Sequence, residues 1–382
     1  MIYFDYAATT PIHPTVLDTY LKVSKNYYGN PSSLHDAGGE AKQLIDHARK
    51  SIASHFLLPS EKIIFTSGGT ESNRLALETL LSNTPKNQNH ILLSKTEHSS
   101  ITQFINSLEC RGFEIEYVPH LKDGIIDLDA LNDLIREETA LVIVQHVNPE
   151  IGVIQPIEAI HSILQGHNAY LHVDCVQSFG KLSLAKISKC ADSFSISSHK
   201  IYGPMGVGAI IFPKIHLLQP PLHGVNHEFG FRSGTVNVPG VVAFAAAAER
   251  LLKVKEIHSS AWTLRNLLLE GLSNDGVNFQ EIKALSSKHQ LPGIVGLIFS
   301  GMQGQFVMME LNRAGFAVST GSACQVGMQS PSKTMVAINL SENEAKGFVR
   351  ISFGEDTNED DVRKLIIAIT KCVKPIQTVY YE

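Results

Sequence analysis

The chain has 382 residues, enough for two domains, or for one large domain with a smaller one, and for a core that needs no disulfides. Hydrophobic residues make up 43% and charged residues 18%, which is typical of a soluble globular protein and excludes a largely disordered or fibrous chain. The formal net charge of −5 disfavours a nucleic-acid binder, because such proteins usually carry a net positive charge.

The cysteines are scattered, odd in number, and contain no Cys-x-x-Cys pair. They stand at Cys110, Cys175, Cys190, Cys324 and Cys372. This pattern is typical neither of a disulfide framework nor of a zinc site, so we expect a reducing compartment and no metal. The first residues lack the basic and apolar regions of a signal peptide, and the longest apolar stretch, 236–248, falls short of the about 20 residues that cross a bilayer. We therefore expect a cytoplasmic protein that does not span a membrane.

Short apolar runs recur along the first two thirds of the chain and alternate with helical patterns. The runs are at 62–66, 90–94, 114–118, 141–145, 170–173, 193–197 and 208–212. Helical patterns follow several of them, at 72–81, 128–136 and 157–165. This alternation predicts an α/β fold with a mostly parallel seven-stranded sheet. Ligands of such sheets bind beyond the carboxyl ends of the strands, so the residues after each run are the candidates for a site.

The pattern changes near Pro239. An alanine-rich helix is predicted from 241 to about 255 and a second one at about 260–272. Apolar runs then follow at 293–299, 316–320 and 348–353, before a last helix at 359–373. We predict a large α/β domain over 16–255 and a small α+β domain formed by 1–15 and 256–382.

Several strand ends carry polar residues with an ordinary structural alternative for each. The sequence Ser-Gly-Gly-Thr-Glu-Ser-Asn at 67–73 opens a helix and could bind a phosphate, although a plain helix cap is the better explanation of this motif taken alone. His98 could stack on a flat ligand or move protons, and Asn148 could hold a ligand oxygen or simply begin a turn.

Two further strand ends favour a functional interpretation. Asp174 directly follows a buried run, where an unpaired carboxylate is costly. Lys200 follows another run and opens a glycine-rich loop, and buried lysines lose their proton readily and form Schiff bases. A phosphate cradle, a stacking histidine, a carboxylate and a lysine together are what pyridoxal 5'-phosphate (PLP) requires.

Six motifs together resemble the cysteine desulfurases of the class V aminotransferase group, in this order along nearly the whole chain. They are Phe-Asp-Tyr-Ala-Ala-Thr-Thr-Pro at 4–11, Gly-Asn-Pro-Ser-Ser-Leu-His at 29–35, the sequence at 67–73, Ser-Ser-His-Lys-Ile-Tyr-Gly-Pro at 197–204, Arg-Ser-Gly-Thr at 232–235 and Gly-Ser-Ala-Cys at 321–324. The resemblance implies a homodimeric fold-type I PLP enzyme. It would take sulfur from L-cysteine, release L-alanine and leave a persulfide for a sulfur-acceptor protein in iron–sulfur cluster or thio-cofactor biosynthesis.

The resemblance also implies a role for each matching residue. Lys200 would be the Schiff-base lysine, Asp174 the partner of the pyridinium nitrogen, and His98 the residue stacked on the ring that also moves protons. Asn148 and Gln177 would contact the ring oxygen side. The phosphate would be held by Gly69, Thr70, Ser197 and His199, and by Thr235 reaching across to the neighbouring subunit. Arg350 would grip the substrate carboxylate, for which a planar guanidinium is suited, although a surface salt bridge is an equal alternative on sequence alone.

Cys324 matches the persulfide cysteine, and its spacing to Pro331 matches the longer-loop group of the family. We assign the other cysteines to packing or surface positions. Two segments depart from the family pattern: His-Gly-Val-Asn-His-Glu at 223–228 replaces a glycine-rich stretch, and Pro149 stands where a second asparagine is common. These departures suggest a paralogue with a specialised sulfur acceptor. Two alternatives remain: an aminotransferase or selenocysteine lyase of the same fold, and a non-catalytic scaffold. A nucleotide-binding protein is disfavoured because the phosphate-loop motifs are missing.

Overall fold

The computed structural model describes residues 1–222, 227–253, 257–321 and 332–381, without the side chains of 252–259 and 377–382. Its strands in this part of the chain are numbered in chain order. They are β1 (Ile2–Tyr3), β2 (Ile63–Thr66), β3 (His90–Ser94), β4 (Glu114–Val118), β5 (Thr139–Gln145), β6 (Tyr170–Asp174), β7 (Ser193–Ser197), β8 (Gly208–Ile211), β9 (Phe279–Ile282), β10 (Ile294–Phe299), β11 (Phe316–Ala317) and β12 (Phe348–Ser352).

The helices are numbered in the same way. They are α1 (Pro14–Asn26), α2 (Asp36–Ser54), α3 (Gly69–Ser82), α4 (Ser99–Glu109), α5 (Leu128–Leu134), α6 (Ile157–Ile163), α7 (Ile187–Cys190), α8 (Val238–Lys253), α9 (Ile257–Asn274), α10 (Gly304–Arg313), α11 (Lys333–Ala337), α12 (Glu342–Lys346) and α13 (Glu359–Tyr381). None of the helices in the described ranges has the length and apolar character needed to cross a bilayer.

The large sheet has seven strands in the order β2-β8-β7-β6-β5-β3-β4. Only β8 among them runs antiparallel to its neighbours, so the predicted mostly parallel α/β sheet is confirmed. The inner strand β5 is buried at every residue, because helices cover both faces of a parallel sheet and leave no solvent face to alternate with. The carboxyl ends of β3, β5, β6 and β7 therefore lie side by side at one edge, where β7 leads directly into Lys200.

A second core lies in the C-terminal part of the chain. It is built on the antiparallel sheet β12-β10-β9 and on α9 and α13, and it includes Phe4 from the N-terminal segment. The short strand β1 pairs in parallel with β11, which brings residues 4–10 from the chain start to the edge of the large sheet. We predicted a longer run at 316–320, but after Ala317 only Ser319 bridges to Arg350, because the backbone leaves the ladder there.

Candidate active site

A cavity of about 270 Å³ lies beyond the carboxyl ends of the parallel strands. It borders the residues predicted there: Gly69, Thr70, His98, Asp174, Gln177, His199, Lys200 and Arg350. The backbone of Ala7 and Ala8 closes one side of it. Strand ends from the large sheet, a strand of the small sheet and the N-terminal segment thus meet in one place.

Lys200 ends the short helical turn that follows β7. Its Nζ donates hydrogen bonds to the carbonyl oxygens of Ala7, at 2.5 Å, and Ala8, at 2.8 Å. Burial, reinforced by the positive charges of Lys181 and Arg350, lowers the pKa of Lys200 to about 7. In a large fraction of the molecules, the side chain of Lys200 is therefore a neutral amine near neutral pH, as addition to an aldehyde requires.

Asp174 is the last residue of β6 and is buried. Its Oδ2 accepts a hydrogen bond from Nδ2 of Asn73 at 2.8 Å, and its Oδ1 accepts one from the backbone N–H of Val176 at 2.9 Å. Asn73 in turn contacts Nε2 of His172 at 3.2 Å. We had not singled out Asn73, although it ends the 67–73 motif and lies one turn inside α3. The carboxylate is held in one orientation toward the cavity.

His98 caps the N-terminus of α4. Its Nδ1 accepts from the backbone N–H of Ser100 at 3.1 Å and lies 2.8 Å from the Ser100 hydroxyl. Burial lowers the pKa of His98, against the opposing effect of the Asp174 charge. The imidazole is then neutral at pH 7, and because Nδ1 accepts, its proton is on Nε2.

The N-terminus of α3 forms a close-packed cradle. Gly68 has a φ of 148°, and a Cβ on Gly69 would lie 2.9 Å from Cγ2 of Val176. The hydroxyl of Ser197 is buried beside it and has no hydrogen-bond partner in the described part of the chain. Free backbone N–H groups at a helix start and an unsatisfied hydroxyl are what a phosphate would satisfy. Nearby, His199 contacts the Thr9 hydroxyl at 3.1 Å, and burial, together with the charge of Lys200, lowers its pKa to about 4.

Arg350 lies in β12 and its side chain is buried. Its Nη2 donates to Oδ1 of Asp5 at 2.6 Å and its Nη1 to the carbonyl oxygen of Pro149 at 2.9 Å. The pairing with Asp5 joins residues 345 positions apart, and no sequence pattern indicated it. The guanidinium borders the cavity, where a carboxylate could take over one of these bonds.

Gln177 and Asn148 are both buried, but their amides are used differently. Gln177 lines the cavity and donates from Nε2 to the Ala7 carbonyl at 2.7 Å. Asn148 accepts from the backbone N–H groups of residues 150 and 151 at 2.9 and 3.1 Å and donates to the Thr334 hydroxyl at 3.1 Å. The neighbours of Asn148 border the cavity, and its own contact with a cofactor stays a prediction.

Thr235 is not among the residues that border the cavity, and neither are Ser197 and Asn148. Thr235 is exposed, so its role toward a neighbouring subunit stays a prediction. Cys324 lies outside the described residues, as do positions 223–226 of the departing segment. In the described ranges, no group of three or more histidine, cysteine, aspartate or glutamate side chains is arranged to hold a metal ion.

The donor set fits PLP on the observations above: an amine with a lowered pKa, a fixed carboxylate, and a helix N-terminus beside an unsatisfied hydroxyl.

A family model described as "Aminotransferase class-V" matches residues 2–365. The Bacillus subtilis protein described as "Putative cysteine desulfurase NifS" is 42% identical over 97% of this chain and 94% of its own length. "Cysteine desulfurase IscS 1" of Archaeoglobus fulgidus is 37% identical over 99% and 98%. The solved structure "SspA in complex with cysteine" is 30% identical, covers 92% of this chain and 99% of that one, and has a TM-score of 0.80.

Proposed function

We propose that this chain, which belongs to the PLP-dependent class-V aminotransferase family, is a cysteine desulfurase that forms L-alanine and a persulfide from L-cysteine. The observation that carries the proposal is the convergence of Lys200, Asp174 and Arg350 on one cavity. Two observations support the choice of reaction. Relatives named as cysteine desulfurases match this chain over nearly their whole length, and a similar structure is described as a complex with cysteine.

The residues that would hold the cofactor each offer a matching group. Lys200 would bind its aldehyde carbon, and Asp174, oriented by Asn73, would face its ring nitrogen. The backbone at Gly69 and Thr70, with the side chains of Ser197 and His199, would hold its phosphate, and Thr235 of the partner subunit would add to that site. When bound, PLP withdraws electrons from the α-carbon of an amino acid.

The protein's own groups then divide the work. The guanidinium of Arg350 orients the substrate carboxylate, because its planar fork matches the two oxygens. The neutral amine of Lys200 takes the α-proton, and His98, whose Nε2 carries the proton of the neutral imidazole, would act as a proton donor near the thiol groups.

Sulfur transfer is assigned to Cys324. Its thiolate attacks the substrate sulfur, so that an S–S bond forms as the bond between that sulfur and Cβ breaks. The electron pair of the broken bond stays on Cβ, which takes up a proton and becomes the methyl group of alanine. Nothing else is oxidised or reduced, and the terminal sulfur of the persulfide is ready for an acceptor.

The assembly and cellular setting belong to the same proposal. We expect a cytoplasmic homodimer with shared sites and a sulfur-acceptor protein in iron–sulfur or thio-cofactor biosynthesis. The exposure of Thr235 and of four large apolar side chains in and after α1 supports a partner surface: Leu17, Leu21, Tyr28 and Leu34. The division into a 16–255 domain and a domain of 1–15 with 256–382 stays part of the proposal, and the packing of Phe4 with the C-terminal elements supports it.

The test is release of alanine and sulfide from L-cysteine in the presence of a reductant, with the visible PLP band recorded on the same samples. The wild type should release both products in step. Cys324→Ala should lose both by more than about 1000-fold while keeping the band, because no other group replaces the nucleophile. Cys110→Ala, at an exposed cysteine remote from the motifs, is the matched control and should keep full turnover.

The other outcomes separate the alternatives. A PLP band without cysteine turnover would favour an aminotransferase or a selenocysteine lyase. The absence of a band would leave the non-catalytic scaffold. Turnover that survives in Cys324→Ala would contradict the persulfide route.

A further inference from the structure

Lys181 is a second lysine next to the site that neither the motifs nor the mechanism above uses. It ends a tight turn after β6, in which the N–H of Phe179 donates to the carbonyl of Cys175 at 2.9 Å. Gly180 has a φ of 75°, and a Cβ there would lie 2.5 Å from Cδ1 of Leu251. The sequence thus requires glycine at this point, and the turn brings the Lys181 side chain back beneath Gln177.

A chain of hydrogen bonds joins the two lysines. Nζ of Lys181 donates to Oε1 of Gln177 at 2.9 Å, and Nε2 of Gln177 donates to the carbonyl of Ala7 at 2.7 Å. The same carbonyl accepts from Nζ of Lys200 at 2.5 Å. Because an ammonium only donates, Lys181 must meet the oxygen of Gln177, and this turns the amide nitrogen toward Ala7.

Both lysines also border a second cavity, of about 360 Å³. Apolar side chains form much of its wall, among them Leu251, Leu264 and Phe353. Lys200 therefore borders both cavities. Lys181 borders only the second one, whereas Gly69 and Thr70 of the phosphate cradle border only the first. In surroundings of this kind, charges are screened less than in bulk water.

The charged groups that act on Lys200 come from the N-terminal segment, from β6 and the turn after it, and from β12. Lys181 and Arg350 oppose its protonation, whereas Asp5 and Asp174 favour it. The neighbouring His98 and His199 both have lowered pKa values and are neutral at pH 7. Burial and the charge of Arg350 lower the pKa of Lys181 only to about 8, so it still carries its charge when Lys200 loses its proton near pH 7.

We propose that Lys181 is a positioning residue for Lys200: its ammonium fixes Gln177 against Ala7 and, as a second enclosed positive charge, favours the neutral amine of Lys200. This inference rests on the proposed function, because Lys181 assists the reaction only if Lys200 acts in it as a neutral amine. The effect is on the protein itself and exists before any cofactor binds. It can therefore be measured without turnover.

The test is the pH dependence of Lys200 acetylation in the full-length protein freed of PLP, with trace acetic anhydride and peptide mass spectrometry. The wild type should show a midpoint near pH 7. In Lys181→Met the midpoint should rise by about one pH unit, so that labelling at pH 7 falls about fivefold, because removal of a like charge favours protonation. Lys181→Arg keeps the charge and should stay near the wild type. Lys189→Met, at an exposed lysine, is the matched control.

An unchanged midpoint in a folded Lys181→Met protein would overturn the proposal. If that variant fails to fold, the wild type alone decides, because the same spectra give the midpoint of Lys181. That midpoint must lie above the one of Lys200, and the reverse order would overturn the proposal. Failure of the protein to bind PLP or to convert cysteine would instead refute the proposed function, and would leave the labelling result as it stands.

Discussion

Two buried arginines of this protein, Arg49 and Arg350, differ in how their fork is used. Both donate to a carboxylate, and Nε of each lacks a hydrogen-bond partner in the described structure. Arg49 in α2 places both Nη atoms on Glu228, at 2.8 and 2.7 Å, and one also meets the Ile63 carbonyl. Glu228 in turn accepts from the N–H of Phe65 at 2.7 Å. Both Nη atoms of Arg49 are thus bonded to Glu228, and both side chains are buried.

Arg350 spreads its fork over two different partners, Asp5 and the Pro149 carbonyl, and borders a cavity. The Asp5 side chain is 19% exposed, whereas that of Glu228 is 2% exposed. We therefore expect that an incoming carboxylate can displace Asp5 without leaving it in an apolar interior, and that it does not displace Glu228. Both arginines are buried, so we expect the exchangeability of the partner, and not burial, to separate a structural arginine from a binding one.

The largest expected effect is on the structural pair. Arg49→Met should lower the free energy of unfolding by about 3–5 kcal/mol, because it leaves the Glu228 carboxylate buried and unpaired. Urea titration measures this, and combining the change with Glu228→Gln should recover part of the loss. Arg74→Met removes an exposed i,i+4 pair with Glu78 and serves as the control, with a cost below about 1 kcal/mol. A similar small cost at Arg49 would contradict the comparison.

The next effect is on the binding arginine and rests on the proposed function. Arg350→Lys should lower kcat/KM for L-cysteine about 100-fold, mostly through KM, because a lysine cannot form the two parallel bonds of the fork. The PLP band and the urea midpoint should stay close to those of the wild type. Arg363→Lys, at an exposed helical position, is the control. A loss of stability without a change in KM would place Arg350 beside Arg49 as a structural residue.

The sequence carried much of the fold because its strongest signals are local. The seven runs of the large sheet coincide with β2 to β8 within a few residues. Most of these strands are buried at nearly every residue, which favours apolar side chains on both faces, and the edge strand β4 is the exception. The helices α1 and α2 were not predicted. Gly38 and Gly39 weaken the local helical preference of α2, which the tertiary packing of Ala41, Ile45 and Ile52 in the large core overrides.

The order of strands and helices alone predicted site residues only where they follow strands, whereas Arg350, inside β12, was predicted from the family resemblance. Parallel strands end at one edge, so Asp174 and Lys200 had to converge there, and the structure brings them together. Asp5 and Lys181 were missed for a physical reason. Their positions depend on where the N-terminal segment passes and on how one turn folds back, and neither follows from periodicity. Cys324, Thr235 and the cofactor contact of Asn148 remain predictions.

The smallest effect tests whether the Asp5 partner is exchangeable. Asp5→Asn keeps the shape of the acceptor but removes its charge, so a substrate carboxylate should compete better for Arg350 and lower KM about fivefold. Because the Asp5 charge raises the pKa of Lys200, the acetylation midpoint of Lys200 should also fall slightly in this variant. Asp18→Asn, on the exposed face of α1, should change neither quantity. A higher KM in Asp5→Asn would mean that Asp5 holds the guanidinium in place for the substrate. The carboxylate partner of Arg350 would then be fixed, as that of Arg49 is, and not exchangeable.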